Sequence, residues 1–135
     1  MTTVSSSKSI NTLLWAAQWL LAITLTWSAL TKLLTPVNEL AQMWPWVGQT
    51  PVVLVQFTGF SDMLGALGLL LPSLLRIKPI LTPIAAVSII VLMLCAALFH
   101  IVRGETSQIG VNIVFALIAA FTAWGRFGKS VITAK

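Results

Sequence analysis

The sequence contains few of the residues with which proteins bind metals or attack substrates. Its 135 residues include three acidic residues, one cysteine, one histidine and no tyrosine. A single cysteine, Cys95, excludes an intrachain disulfide and a dithiol-exchange enzyme. A single histidine, His100, excludes a haem held by two histidines of one chain, and no Cys/His cluster has the spacing of a zinc site. Phosphate-binding loops and nucleophile elbows are also missing, so we expect no catalytic residues, no metal site and no independent enzyme.

Charge is scarce as well. Charged residues make up 8% of the sequence and hydrophobic residues 58%, whereas a soluble domain carries about 25% charged residues. So few charges cannot cover the surface of a compact domain in water. The sequence therefore predicts a protein whose solvent is largely lipid, with residues 1–135 forming a single membrane domain.

Four apolar segments are long enough to cross a hydrocarbon layer, which requires roughly 20 helical residues. They cover approximately residues 12–34, 52–72, 79–102 and 107–124. Pro36, after the first span, is suited to the first turn of a new helix, so we predict a short interfacial helix at about 36–43 in the first outer loop. Pro72 and Pro79 are expected to bracket a short loop between the second and third spans. The predicted fold is all-α: a polytopic membrane protein with four transmembrane helices in an antiparallel bundle.

Basic residues concentrate on one side of the predicted membrane. Four spans place the two termini and the second loop on a side that has cations and no acid, namely Lys8, Arg76, Lys78, Arg126, Lys129 and Lys135. The other side has Lys32, Glu39, Arg103 and Glu105. Because short basic loops stay in the cytoplasm, we predict a cytoplasmic (inner) membrane protein with cytoplasmic N- and C-termini. This pattern explains the net charge of +5 without a nucleic-acid partner. We interpret the tryptophans, including Trp44 and Trp46 in the outer loop, as lipid anchors.

Polar residues inside the spans are the candidates for function. Asp62 lies roughly 13 Å into the second span at 1.5 Å per residue, and a charge at such depth usually faces the bundle interior and has a partner. Lys32, His100 and Asn112 are predicted to lie in the same outer half, which makes these four residues the candidate ligand or proton site. Structural alternatives stay open: Lys32 reaching the headgroups, His100 capping its helix, Asn112 bonding across helices, and Asp62 in an ion pair with Lys32 or a hydrogen bond to His100.

Helical spacing places these polar residues on faces that are rich in small residues. Gln18, Ser28 and Lys32 share one stripe of the first span, and Asp62 shares a stripe with glycines of the second. Helices in lipid pack where small residues allow close approach, so these stripes should face inward. Ser61 and Gly65 form a further pair of small residues, which we consider as a surface for homo-oligomer formation. Cys95 is interpreted as packing filler.

The order of these features resembles the DoxX and DoxX-like family of small four-helix bacterial membrane proteins. The similar segments are residues 28–33 (SALTKL), 60–72 (FSDMLGALGLLLP), 96–100 (AALFH), and Asn112 with residues 125–127 (GRF). Together they cover nearly the whole chain. The sequence departs from the family pattern at Asp62, where the family more often has glutamate, and the shorter side chain has less reach.

The resemblance implies a non-catalytic membrane subunit of a redox complex, associated with an oxidoreductase and binding a small ligand, such as a quinone, in an outer-half cavity. In this hypothesis Asp62 and His100 bond the polar head of the ligand or relay protons, Lys32 stabilises negative charge, and Asn112 orients the others. Two alternatives remain. One is proton-coupled transport of a small molecule, since small exporters also use one deep carboxylate. The other is a scaffold without a ligand, in which the polar groups only fix the helix register.

Overall fold

The computed structural model describes residues 2–104 and 109–134, with side chains from Lys8 onward. These residues form five α-helices: α1 (Thr2–Leu34), α2 (Val37–Met43), α3 (Val52–Leu75), α4 (Leu81–Val102) and α5 (Ile109–Trp124). A short 3-10 turn (Pro45–Gln49) follows α2, and a π-helical turn (Gly125–Lys129) continues α5. Four of the helices are long and apolar enough to cross a membrane. The predicted all-α, four-span fold is confirmed.

The four long helices form a closed ring. Helix α1 packs on α3, α3 on α4, α4 on α5, and α5 on α1. Leucine, isoleucine and alanine side chains fill the centre, among them Leu21, Leu25, Leu69 and Ile89. Large apolar side chains also cover the outside of the ring, where lipid rather than water is the compatible solvent. The bundle is therefore built to pack small and branched residues inward and to expose apolar residues to acyl chains.

The bundle has two chemically different ends. We call one the basic end, because Lys8 of α1, Arg76 and Lys78 after α3, and Arg126 and Lys129 after α5 lie there. We call the other the α2 end, because it holds α2 and the 3-10 turn between α1 and α3. Leu40, Val47 and Val55 form a small apolar cluster of their own at the α2 end. This cluster fastens the loop to the start of α3.

Several helix boundaries differ from those expected. Helix α1 begins at Thr2, well before residue 12, so the polar N-terminal stretch extends the first span as helix. The expected start of the fourth span at 107, and Glu105 ahead of it, lie outside the described residues. Gly104 closes α4 with φ +76°, a backbone conformation that favours glycine.

The interpretation of Pro72 as the start of a loop was wrong. Helix α3 runs through Pro72 and ends at Leu75. Proline has no N–H to donate to the carbonyl four residues earlier, that of Gly68. The Thr82 hydroxyl of α4 donates to this carbonyl oxygen at 3.2 Å, and the Gln18 amide of α1 donates to the next carbonyl, that of Leu69, at 2.6 Å. Neighbouring helices therefore satisfy the carbonyls near the proline, as membrane proteins allow.

Close packing of α3 on α4 depends on glycine. A Cβ atom added at Gly68 would lie 2.7 Å from the Cβ of Ala85, and one at Gly65 would lie 3.1 Å from Ile89. Both glycines thus face α4 inside the bundle. Of the pair considered above for homo-oligomer contact, Gly65 is buried against α4, whereas Ser61 is half-buried.

Candidate functional site

The candidate site is built around an ion pair between α1 and α3. The Lys32 ammonium donates to Oδ2 of Asp62 at 2.9 Å, and the Ser28 hydroxyl donates to the same oxygen at 2.9 Å. The Asp62 side chain is 3% exposed and that of Lys32 is 13% exposed. Ser28 and Lys32 are one helical turn apart and point to α3 together. Both donors bond to Oδ2. No hydrogen bond from a described residue to Oδ1 is found.

Aromatic rings cover this ion pair at the α2 end. The Lys32 ammonium lies 5.8 Å from the centre of the Trp44 ring and 5.9 Å from that of Trp46, within cation–π range. Trp44 also meets Trp27 edge-on, and Trp46 meets Phe99 edge-on. These four rings, Trp27, Trp44, Trp46 and Phe99, form what we call the aromatic roof. The interpretation of Trp44 and Trp46 as lipid anchors alone missed their contact with Lys32.

His100 and Asn112 lie at the same end of the bundle. His100 is buried in the last turn of α4, and its ring meets that of Phe99, a member of the aromatic roof. Asn112 is half-buried in the first turn of α5. Within residues 8–104 and 109–134, the hydrogen-bond donors to Asp62 are Ser28 and Lys32 alone. The structure therefore brings Lys32 and Asp62 into contact, and His100 joins them through the roof.

A second polar cluster lies at the basic end and was not expected from the sequence. The Arg126 Nε donates to Gln18 at 2.6 Å, and its Nη1 donates to Asn11 at 2.8 Å. Gln18 continues to Ser73 at 3.4 Å, whose hydroxyl exchanges a 2.7 Å hydrogen bond with that of Thr82. We call these residues the basic-end network: Asn11, Gln18, Ser73, Thr82 and Arg126. The signal that could have revealed it is Gln18, a polar side chain on the inward stripe of α1.

Comparison with protein families identifies the chain. The model of the DoxX-like family matches residues 16–122, which is most of the sequence. The chain belongs to the DoxX-like family. Searches of the curated proteins and of the solved structures gave no match. The resemblance noted in the sequence is thus confirmed at the level of the family.

The match in this DoxX-like protein contains all four candidate residues, Lys32, Asp62, His100 and Asn112, and also Gln18. It ends at Thr122, four residues before Arg126. Within the described part of the chain, no three His, Cys, Asp or Glu side chains come together as a metal site.

A groove in the outer surface of the DoxX-like bundle lies away from both polar clusters. It encloses about 370 Å³ between α1 and α5 and is lined by Ala16, Ala17, Leu20, Leu117, Ile118 and Phe121. Each of these side chains is apolar, so the groove offers shape but no hydrogen bonds. The hydrogen-bonded polar side chains described above lie instead at Lys32 and Asp62 and in the basic-end network.

Proposed function

We propose that this DoxX-like protein is a non-catalytic membrane subunit that binds a small ligand with a polar head, such as a quinone, at Lys32 and Asp62. The observation that carries the proposal is the buried carboxylate of Asp62, whose Oδ2 takes two hydrogen bonds. Its Oδ1 receives none from the described residues. A carboxylate at such depth is costly and usually serves a substrate or proton pathway. In this proposal Oδ1 accepts the hydrogen bond of the ligand.

The surrounding groups suit a quinone or quinol head. Lys32 can donate to a ligand carbonyl, and Oδ1 of Asp62 can accept from a ligand hydroxyl. The indoles of Trp44 and Trp46 border the ammonium and offer flat apolar faces to a ring. His100 would relay protons at the edge of the aromatic roof, and Asn112 would orient the other polar groups.

The cellular setting belongs to the same proposal. A DoxX-like chain whose described ionisable side chains at one end are all basic fits a bacterial inner membrane, with the basic end and both termini in the cytoplasm. The candidate site would then lie in the outer half of the bilayer. A protein partner from a membrane redox complex would accept electrons from the ligand or supply them.

The test is quinone binding to the purified protein in detergent, followed by tryptophan fluorescence. Trp27, Trp44 and Trp46 lie beside the proposed site, so a bound short-tail benzoquinone should quench their emission. We expect saturable quenching in the wild-type protein and a loss of affinity of at least about tenfold in Asp62→Asn, because the amide removes a charged acceptor.

Glu39→Gln is the matched control, because it neutralises an exposed acid at the same end of the bundle and should leave quenching unchanged. Circular dichroism must show that Asp62→Asn retains its helices. Equal quenching of folded wild-type protein and Asp62→Asn would exclude Asp62 from the ligand site.

The two alternative functions, proton-coupled transport and a scaffold without a ligand, require different features of the structure. Transport needs a polar path between the two ends, whereas Leu21, Leu25, Leu69 and Ile89 fill the space between the two polar clusters in this conformation. Flux driven by a pH gradient in proteoliposomes would restore that alternative. A scaffold needs only the helix register, so it should keep its protein partner when Lys32 and Asp62 are both replaced by apolar residues, whereas a ligand site should lose its ligand.

A further inference from the structure

Arg126 is a buried cation without a carboxylate partner among the described residues. Its side chain is 2% exposed, and its three hydrogen bonds go to neutral oxygens of Gln18, Asn11 and the Ser130 backbone, at 2.6, 2.8 and 2.9 Å. Its guanidinium also lies over the Trp15 ring, at 5.3 Å. A guanidinium stays charged in proteins, and a buried charge without an opposite charge is costly.

Among the described residues, no acidic side chain lies at this end. Of its three acidic residues, Asp62 pairs with Lys32 and Glu39 lies in α2, both toward the opposite end. The third, Glu105, lies outside the described residues. The other charged side chains described at the basic end, Lys8, Arg76, Lys78 and Lys129, are also positive. The described side chains at the basic end therefore carry positive charge without an acid to balance it, which favours an anion from outside the chain.

One nitrogen of Arg126 points to the chemistry of this anion. Nη2 is buried and has no hydrogen-bond partner among the described residues. A guanidinium binds an anion through two parallel hydrogen bonds along an edge of its plane. One such edge consists of Nε and Nη2 and the other of Nη1 and Nη2, so Nη2 belongs to both. Nη1 has two acceptors, Asn11 and the Ser130 carbonyl, and the second belongs to a short segment after the last helical turn.

We propose that Arg126 is the centre of a binding site for a phosphate group, supplied by the headgroup of an anionic phospholipid at the basic end. A phosphate oxygen replaces the Ser130 carbonyl at Nη1 while another takes Nη2, so residues 130–134 move aside on binding. These residues are not helical, and Arg76 fastens Thr133 by exposed hydrogen bonds of 2.8 and 3.1 Å. Trp15, whose ring lies against the guanidinium, adds the amphipathic ring that suits a headgroup region.

The test measures thermal unfolding of the full chain in neutral detergent with added phosphatidylglycerol, phosphatidylcholine or inorganic phosphate. We expect phosphatidylglycerol to raise the Tm of the wild-type protein by at least about 4 °C more than phosphatidylcholine does. The difference should disappear in Arg126→Gln and shrink in Arg126→Lys, which keeps the charge but loses paired binding. Lys129→Gln, which removes an exposed cation from the same turn, should retain it.

Each other outcome decides against part or all of the proposal. If phosphatidylglycerol has no advantage in the wild-type protein, or the same advantage in folded Arg126→Gln or Arg126→Lys, the site does not exist. If inorganic phosphate gives the same shift at the concentration of the lipid, the phosphate site stands and its assignment to lipid is wrong. If Arg126→Gln fails to fold, Arg126→Lys and native mass spectrometry of lipid bound to the wild-type protein decide the matter.

Discussion

Two cations lie within the bundle, and each meets oxygen atoms of a different kind. Lys32 meets the Asp62 carboxylate, so the two charges largely cancel inside the apolar environment. Arg126 donates to two side-chain amides and a backbone carbonyl. These acceptors satisfy its hydrogen bonds but do not neutralise its positive charge. An ion pair can be removed as a unit, whereas removing one partner leaves an uncompensated buried charge. The contribution of Lys32 to the free energy of unfolding should therefore depend on whether Asp62 is present.

A double-mutant cycle measures this dependence. Lys32→Met leaves the 3% exposed carboxylate without its cation, so we expect it to lower the free energy of unfolding by about 3–5 kcal/mol. The double variant Lys32→Met with Asp62→Leu should be more stable than Lys32→Met alone, because it buries no charge. Unfolding in mixed detergent micelles checks both values, with Lys129→Met as a control expected to stay within about 0.5 kcal/mol. Strict additivity of the two substitutions would show that the pair contributes no coupling.

At the scale of the helices, α3 is held by its neighbours at the point where proline weakens it. Pro72 cannot donate to the Gly68 carbonyl, and the absence of a side chain at Gly68 lets α4 approach until Thr82 donates instead. The same threonine bonds to Ser73, which Gln18 of α1 also reaches. Three long helices therefore converge on the turn around Pro72, where Gln18 also accepts a hydrogen bond from Arg126.

Because the Thr82 hydroxyl replaces the backbone N–H that Pro72 lacks, a prediction with a matched control can be made. Thr82→Val should cost about 1–2 kcal/mol of unfolding free energy, since it leaves the Gly68 carbonyl without a donor. In a Pro72→Ala background the restored N–H supplies that carbonyl, so the same substitution should cost less. Thr122→Val is the control, because the equally buried Thr122 bonds to Ile118 of its own helix and should cost the same in both backgrounds. An equal loss of unfolding free energy on Thr82→Val in both backgrounds would contradict the replacement of the helical donor by Thr82.

At the scale of the whole molecule, periodicity and composition were sufficient for the four spans and for the inward position of Lys32 and Asp62. Steps of three and four residues decide which side chains share a helical face, and lipid leaves small and polar faces no other place than the interior. The same reasoning failed at Pro72, because the donors that let the helix continue come from α1 and α4. It also failed at Arg126, where a cation near a helix end was taken for an interfacial charge. Both errors concern contacts between distant segments.

The orientation of the whole bundle can be tested by labelling from one side of the membrane. The positive residues at the basic end should hold that end in the cytoplasm. In a Cys95→Ala background, Lys8→Cys and Lys129→Cys should react with an impermeant maleimide only after the cells are opened, because both positions are exposed at the basic end. Glu39→Cys, exposed at the α2 end, should react in intact cells and controls for reagent access. Labelling of Lys8→Cys in intact cells would place the basic end outside, and Asp62 and its aromatic roof would then open toward the cytoplasm.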